Sequence, residues 1–207
     1  MNFMAFPNDE QLKTALSPVL ERYGVDIEAI KISPAGKKTV VAIAVDKDGR
    51  IDSDTIEALS RDISAWCDAQ EEAGVFNFGA GYTLEVSTPG VDLPLTLPRH
   101  WRRNRGRAIA IAEAHEARED GNPKGRQGQK GKKATTTLWR IGALDAQEEN
   151  VILITKHNKQ LVVRAAQLAH YAGCLVEVEF AQPTVEEREL VALTFDEAMT
   201  WREEHNK

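Results

Sequence analysis

Only two cysteines, Cys67 and Cys174, occur in the chain, and they lie more than a hundred residues apart. That scarcity argues against a disulfide framework, fits a reducing compartment, and leaves both thiols as small core side chains. Long apolar runs are also missing. The stretches Val40 to Val45 and Val151 to Ile154 fall far short of the roughly 20 residues that a membrane span requires, so no membrane association is expected. The segment Met1 to Pro7 has no basic residue, which argues against a secretory or transit peptide and points to the cytoplasm.

Catalytic signatures are absent as well. The sequence contains no G-x-S-x-G elbow, no H-E-x-x-H and no C-x-x-C pair. Gly125 to Lys132 approaches a phosphate-binding loop, but it has five residues between Gly125 and Gly131, and Lys133 follows where Ser or Thr is needed. His100, His115, His157, His170 and His205 are scattered without metal-ligand spacing. The carboxylate runs at Glu186, Glu187 and Glu189 and at Glu203 and Glu204 read as solvated helical faces. They are the only basis for a hydrolase or nuclease. No catalytic residue, metal, cofactor or small-molecule substrate is expected, and the chain reads as a binding protein.

What is present is a globular composition, 42% hydrophobic and 28% charged over 207 residues, enough for two domains. The net charge of -6 is unevenly spread. Residues 1–90 carry 8 basic and 15 acidic side chains, residues 91–180 carry 15 and 10, and residues 181–207 carry 3 and 7. A basic middle between acidic flanks points to one localised anionic partner.

Asn8 and Gln11 form a helix-capping pair, followed by Leu12, Leu16, Val19, Leu20 and Tyr23 at helical spacing and Gly24 as a stop. Residues 25–33 and 39–46 read as strands joined by a hairpin over Pro34 to Lys38. Asp52 or Ser53 caps a second helix with a stripe of Ile56, Leu59, Ile63 and Trp66, ending near Gly74, and Tyr82 to Val86 alternates as a strand. Residues 1–90 are therefore an α-β-β-α-β two-layer α+β domain. Pro89, Pro94 and Pro98 make residues 91–98 a stiff, extended linker.

Residues 99–183 read as five short strands, with a helical turn over residues 165–169. This suggests a small closed barrel of the SH3-like or OB type, and the turn favours SH3-like. Residues 115–133 form a glycine-containing loop, expected to be disordered in the free protein, whose second half carries Lys124, Arg126, Lys130, Lys132 and Lys133 with no acidic residue. Residues 184–207 read as an acidic helical tail, a surface appendage.

The strongest functional signal is Arg99-His100-Trp101-Arg102-Arg103-Asn104-Arg105-Gly106-Arg107, with five arginines in nine residues. Guanidinium forks pair with phosphates, and an indole stacks on unpaired bases. Trp101 either serves that stacking or packs into the barrel. Arg99, Arg102, Arg103, Arg105 and Arg107, with the loop lysines and Arg126, are the candidate contacts to RNA.

The segment from Tyr82 to Leu95, with Ser87, Pro89, Gly90, Asp92 and Pro94 in its strand-to-linker signature, resembles that of the bacterial ribosome maturation factor RimP family. His100-Trp101-Arg102-Arg103 matches the His-aromatic-Arg-Arg stretch that follows in the family. The resemblance implies a KH-like N-terminal topology, an Sm-like C-terminal barrel, and a cytoplasmic factor without catalytic activity. Such a factor binds the free small (30S) ribosomal subunit, its rRNA and a small-subunit ribosomal protein near the decoding region, and promotes late assembly. The family usually has arginine where this chain has Leu93, so a cation that could face RNA or pair with Asp92 is missing. Gly90 would supply a turn that other residues resist, Pro89 and Pro94 would stiffen the connector, and Asp92 would cap or pair across the junction, although these positions would equally suit a binding groove between the domains. The chain is expected to be a monomer. A competing reading is an adaptor whose basic barrel binds an acidic protein and associates with RNA only indirectly.

Overall fold

Asn8 accepts the Gln11 amide at 2.9 Å and Gln11 returns a side-chain acceptor to the Asn8 amide at 3.0 Å, which starts helix α1 (Asp9–Glu21). The computed structural model describes residues 6–35, 38–49, 51–113, 135–158 and 160–205, and divides the chain into two compact units, Met1–Gly90 and Val91–Lys207. Strands β1 (Asp26–Ala35) and β2 (Lys38–Asp46) are antiparallel. Helix α2 (Ser53–Glu72) then crosses over so that β3 (Tyr82–Ser87) lies parallel to β2. The mixed sheet runs β1-β2-β3.

Alternation decides which face is buried. Val41, Ile43 and Val45 of β2 point to the same side as Ile27 and pack with Leu12, Leu16 and Leu20 of α1 and Leu59 and Ile63 of α2. Each of these aliphatic side chains contributes about 1.5–3 kcal/mol by leaving water. Phe78 is fully buried, with Phe6 edge-on at 5.6 Å and Tyr82 tilted at 5.1 Å. Cys67 joins this core, and burial pushes its thiol up to about 11, which leaves it unreactive. The hairpin is tighter than expected. Pro34 and Ala35 pair with Thr39 and Lys38 inside the ladder, because a missing amide is tolerated on the edge strand β1; Gly36 and Lys37 lie outside the described residues.

The second unit opens with helix α3 (Pro98–Arg103) and continues through β4 (Ala108–Glu113), β5 (Thr135–Leu144), β6 (Asn150–His157) and β7 (Gln160–Gln167). A single 3-10 turn, Leu168–Tyr171, precedes β8 (Val176–Glu177), and helices α4 (Val185–Ala192) and α5 (Phe195–His205) follow. The sheet order is β7-β6-β5-β4-β8, and every neighbouring pair is antiparallel. Its inner face packs Trp101, Ile109, Trp139, Ile141, Val151, Leu153 and Val176.

Two expectations need correction here. Strand β7 runs on to Gln167, so the helical turn begins at Leu168 rather than at Ala165, and the last strand, expected over Leu175 to Phe180, is only Val176 and Glu177. The acidic tail is also no appendage. Leu190 of α4 and Ala198 of α5 are buried against Ile152, Ile154 and Val163 on the outer face of the sheet. The run Val151 to Ile154 is apolar at every position because β6 is covered on both faces.

Gly142 marks the tightest crossing in this sheet. A Cβ there would lie 2.9 Å from the Ile152 side chain and 3.0 Å from its carbonyl oxygen, beside the register shift between Ile141 and Leu144. Gly142→Val is expected to destabilise the unit by about 1–3 kcal/mol, read as a lower urea midpoint at unchanged m.

Candidate functional site

Proline at the first position and an imidazole behind it hold α3 in place. His100 is buried, and its Nδ1 accepts the backbone amides of Thr96 at 3.1 Å and Leu97 at 3.3 Å, satisfying two of the donors near the start of the helix. Trp101, only 1% exposed, anchors α3 in the core on the inner face of the sheet, so packing rather than base stacking describes its indole. With His100 and Trp101 turned inward, Arg102 is left exposed and Arg99 and Arg103 half-buried.

The arginines are not equivalent. Arg102 forms an ion pair with Glu148, which sits in the turn between β5 and β6 at φ +55°. Arg107 is exposed and donates from Nη1 to the Asn104 side chain at 3.3 Å. Arg105 is engaged within the fold: its Nε donates to the Val191 carbonyl at 2.8 Å and its Nη2 to the Leu193 carbonyl at 2.6 Å. These are the unsatisfied carbonyls at the end of α4, where a cation is also favoured by the helix dipole. Arg105 therefore fastens the end of α4 to the segment that leads into β4 before it can serve any partner.

Along the signature, Ser87, Gly90, Asp92 and Pro94 are exposed, while Pro89 and Leu93 are half-buried. The linker is tied down just beyond them. Leu95 is buried and exchanges backbone hydrogen bonds with Cys174 and Gly173, both at 2.9 Å. The left-handed glycines of this region are Gly106 at φ +88° and Gly173 at φ +92°, rather than Gly90. Lys124, Arg126, Lys130, Lys132 and Lys133 lie outside the described residues.

The turn that presents Glu148 is organised by Asp145. Its carboxylate accepts the Glu149 amide at 2.8 Å, the Asn150 amide at 3.1 Å and the Asn150 side chain at 2.6 Å. Desolvation opposes ionisation, but these donors outweigh it and hold the group below its usual range. A carboxylate depressed by folding contributes stability above its unfolded pKa, and loses that contribution as pH falls through the folded value. Acidification below the ordinary carboxylate range should loosen this turn, and Asp145→Asn should flatten the acid limb of a thermal-melt pH profile. Beside α3, a recess of about 430 Å³ is lined by Thr96, Pro98, Glu148, Glu149, Leu168 and Ala172. Its two carboxylates disfavour an anion there.

Sequence reasoning missed Arg140, which is 7% exposed on β5 and clamps Glu179 with two hydrogen bonds at 2.7 and 2.8 Å. A lone arginine within Leu138-Trp139-Arg140-Ile141, with acidic residues downstream, was the available signal. Among the described residues, no group of three or more His, Cys, Asp or Glu side chains could hold a metal ion. None of the described helices is long and apolar enough to cross a membrane.

Comparison with known proteins places this geometry. A family model described as the RimP N-terminal domain matches residues 15–92, which takes in Ser87, Pro89, Gly90 and Asp92. The Ribosome maturation factor RimP of Corynebacterium aurimucosum is 49% identical over 193 residues, covering 93% of this chain and 94% of that protein. The chain belongs to the RimP family of ribosome maturation factors. Two further RimP proteins are similar over nearly full length. That of Corynebacterium diphtheriae is 45% identical over 99% of this chain and 100% of its own, and that of Corynebacterium kroppenstedtii is 38% identical over 94% and 99%. The likeness thus includes both units, and α3, α4 and α5 fall within a RimP-length alignment.

Proposed function

We propose that this RimP-family chain promotes maturation of the small ribosomal subunit by binding the free subunit in the cytoplasm, as a monomer and without catalysis. The contact surface is the arginine face of α3 with its flank: Arg99, Arg102, Arg103 and Arg107, joined by the lysines and arginine of residues 124–133. The observation that carries this reading is the division of labour in α3. His100 and Trp101 are buried and hold the helix in place, and its remaining long side chains are cations, Arg102 exposed and Arg99 and Arg103 half-buried. Phosphate binding needs such pre-positioned guanidinium groups.

The finer fold assignments belong to the same reading. The α-β-β-α-β order with β2 between β1 and β3 supports a KH-like topology for the first unit. The five-stranded antiparallel sheet, with a 3-10 turn just before its last strand, supports an SH3-like, Sm-like barrel for the second. The rRNA and a small-subunit ribosomal protein near the decoding region are the partners this reading names.

Sedimentation of a cell lysate through a sucrose gradient tests it. The wild type should co-migrate with free small subunits, and Arg102→Glu/Arg103→Glu should not. Even distribution among small subunits, large subunits and whole ribosomes would count against subunit maturation, and failure to bind naked small-subunit rRNA would favour an adaptor.

A further inference from the structure

Inside the barrel, away from the cluster on α3, a second arginine stands among aromatic rings. Arg164 lies on β7 opposite Leu153. Its Cζ stacks 4.0 Å above the ring centre of Trp139 and lies 5.7 Å from that of Tyr171, and its Nη2 donates to the Tyr171 hydroxyl at 3.0 Å. These rings fix the plane of the guanidinium through cation–π attraction. They supply no anion. Among the described residues no carboxylate lies within ion-pair reach of Arg164, and two buried donors, Arg164 Nε and Trp139 Nε1, have no acceptor. Trp139 is 4% exposed, so its indole N–H cannot turn to bulk water, whereas Arg164 and Tyr171 remain half-buried and reachable.

Buried donors in folded proteins are normally satisfied, and a buried cation normally faces a negative group. We propose that Arg164, Trp139 and Tyr171 form a phosphate-binding site that takes a backbone phosphate of single-stranded RNA. The accessible part of the half-buried Arg164 guanidinium is the group that pairs with the phosphate, and Trp139, whose ring centre lies 4.0 Å from its Cζ, senses the change without touching the ligand. Because Arg164 is half-buried, the phosphate must come from an unpaired, pliable strand, and the half-buried Tyr171 ring beside it can stack on a neighbouring base, which an acidic peptide does not supply. This inference rests on the reading of the second unit as an RNA-contacting one, and adds to it a site on the barrel that recognises single strands.

The test uses the full-length, nitrogen-15-labelled protein and follows the indole N–H resonance of Trp139, assigned by Trp139→Phe. Inorganic phosphate and a short oligouridylate should each move that resonance saturably, and oligoglutamate of the same charge should not. Arg164→Lys keeps the charge but loses the planar fork; it should weaken oligouridylate binding on the order of tenfold while leaving its salt slope nearly unchanged. A Trp139 resonance unmoved by oligouridylate overturns the inference, whether or not inorganic phosphate moves it, and so does an equal response to oligoglutamate. The wild-type titration decides this even if the variant does not fold. If Trp139 stays silent while Arg102→Glu/Arg103→Glu abolishes subunit binding, the present inference fails and the proposed function stands. If Trp139 responds to oligouridylate but the protein never sediments with small subunits, the reverse holds.

Discussion

Replacing Arg140 with alanine is expected to destabilise the C-terminal unit by about 3–5 kcal/mol, a large part of the roughly 5–15 kcal/mol that holds a typical domain together. The guanidinium is almost wholly enclosed, donating from Nη1 to the Gly106 carbonyl at 2.7 Å and from both Nη atoms to Glu179, with Glu187 of α4 3.9 Å away. It therefore links three parts of the chain: the turn after α3, the segment beyond β8, and the first turn of α4. Alanine leaves a cavity, takes the guanidinium away from the Glu179 carboxylate, which is largely withdrawn from water, and leaves Glu187 with the more distant charge of Lys156. Leaving one side of a buried pair uncompensated is what makes such deletions severe. Arg140→Met with Glu179→Gln should be markedly milder, because it removes charge on both sides and refills the volume. Urea denaturation followed by circular dichroism reads the difference as a shift in midpoint. A loss below about 1 kcal/mol for Arg140→Ala would mean that the pair behaves like an exposed one.

This clamp also explains what could and could not be read in advance. Local rules placed α1, α2 and most strands, because capping side chains, the heptad-like stripe of α2 and the alternation of β3 are written within short windows. Helix α3 escaped because six residues give too little periodicity, and the run of arginines around Trp101 drew attention to charge instead of packing. The tail was misjudged because α4 and α5 are polar over most of their surface, and their burial depends on few contacts, chiefly Leu190 and Ala198. The partners of Arg140 and Arg105 lie 39 and 86 residues away along the chain, a separation that no local pattern reports. In the candidate site the residue types were legible, but the commitment of Arg105 to α4 and of Arg102 to Glu148 required the fold.

The commitment of Arg102 sets the second large expected effect. Arg102 and Glu148 have side chains 42% and 39% exposed, and an exposed pair of this kind is worth about 0–1 kcal/mol. A phosphate can therefore displace Glu148 at little cost, and the pair holds the guanidinium ready without locking it away. If Arg102 and Arg103 each neutralise one phosphate, Arg102→Glu/Arg103→Glu should lower the salt slope of rRNA binding by about two and weaken affinity on the order of a hundredfold at low ionic strength. The opposite change is the sharper test. Glu148 occupies a left-handed backbone conformation at φ +55°, which asparagine tolerates better than glutamate. Glu148→Asn removes a carboxylate that competes with phosphate for Arg102 and eases the backbone, so it should strengthen rRNA binding and raise the thermal midpoint together. Stronger folding with unchanged affinity would show that Arg102 serves only the turn, and would shift the anionic contact to Arg99, Arg103 and Arg107.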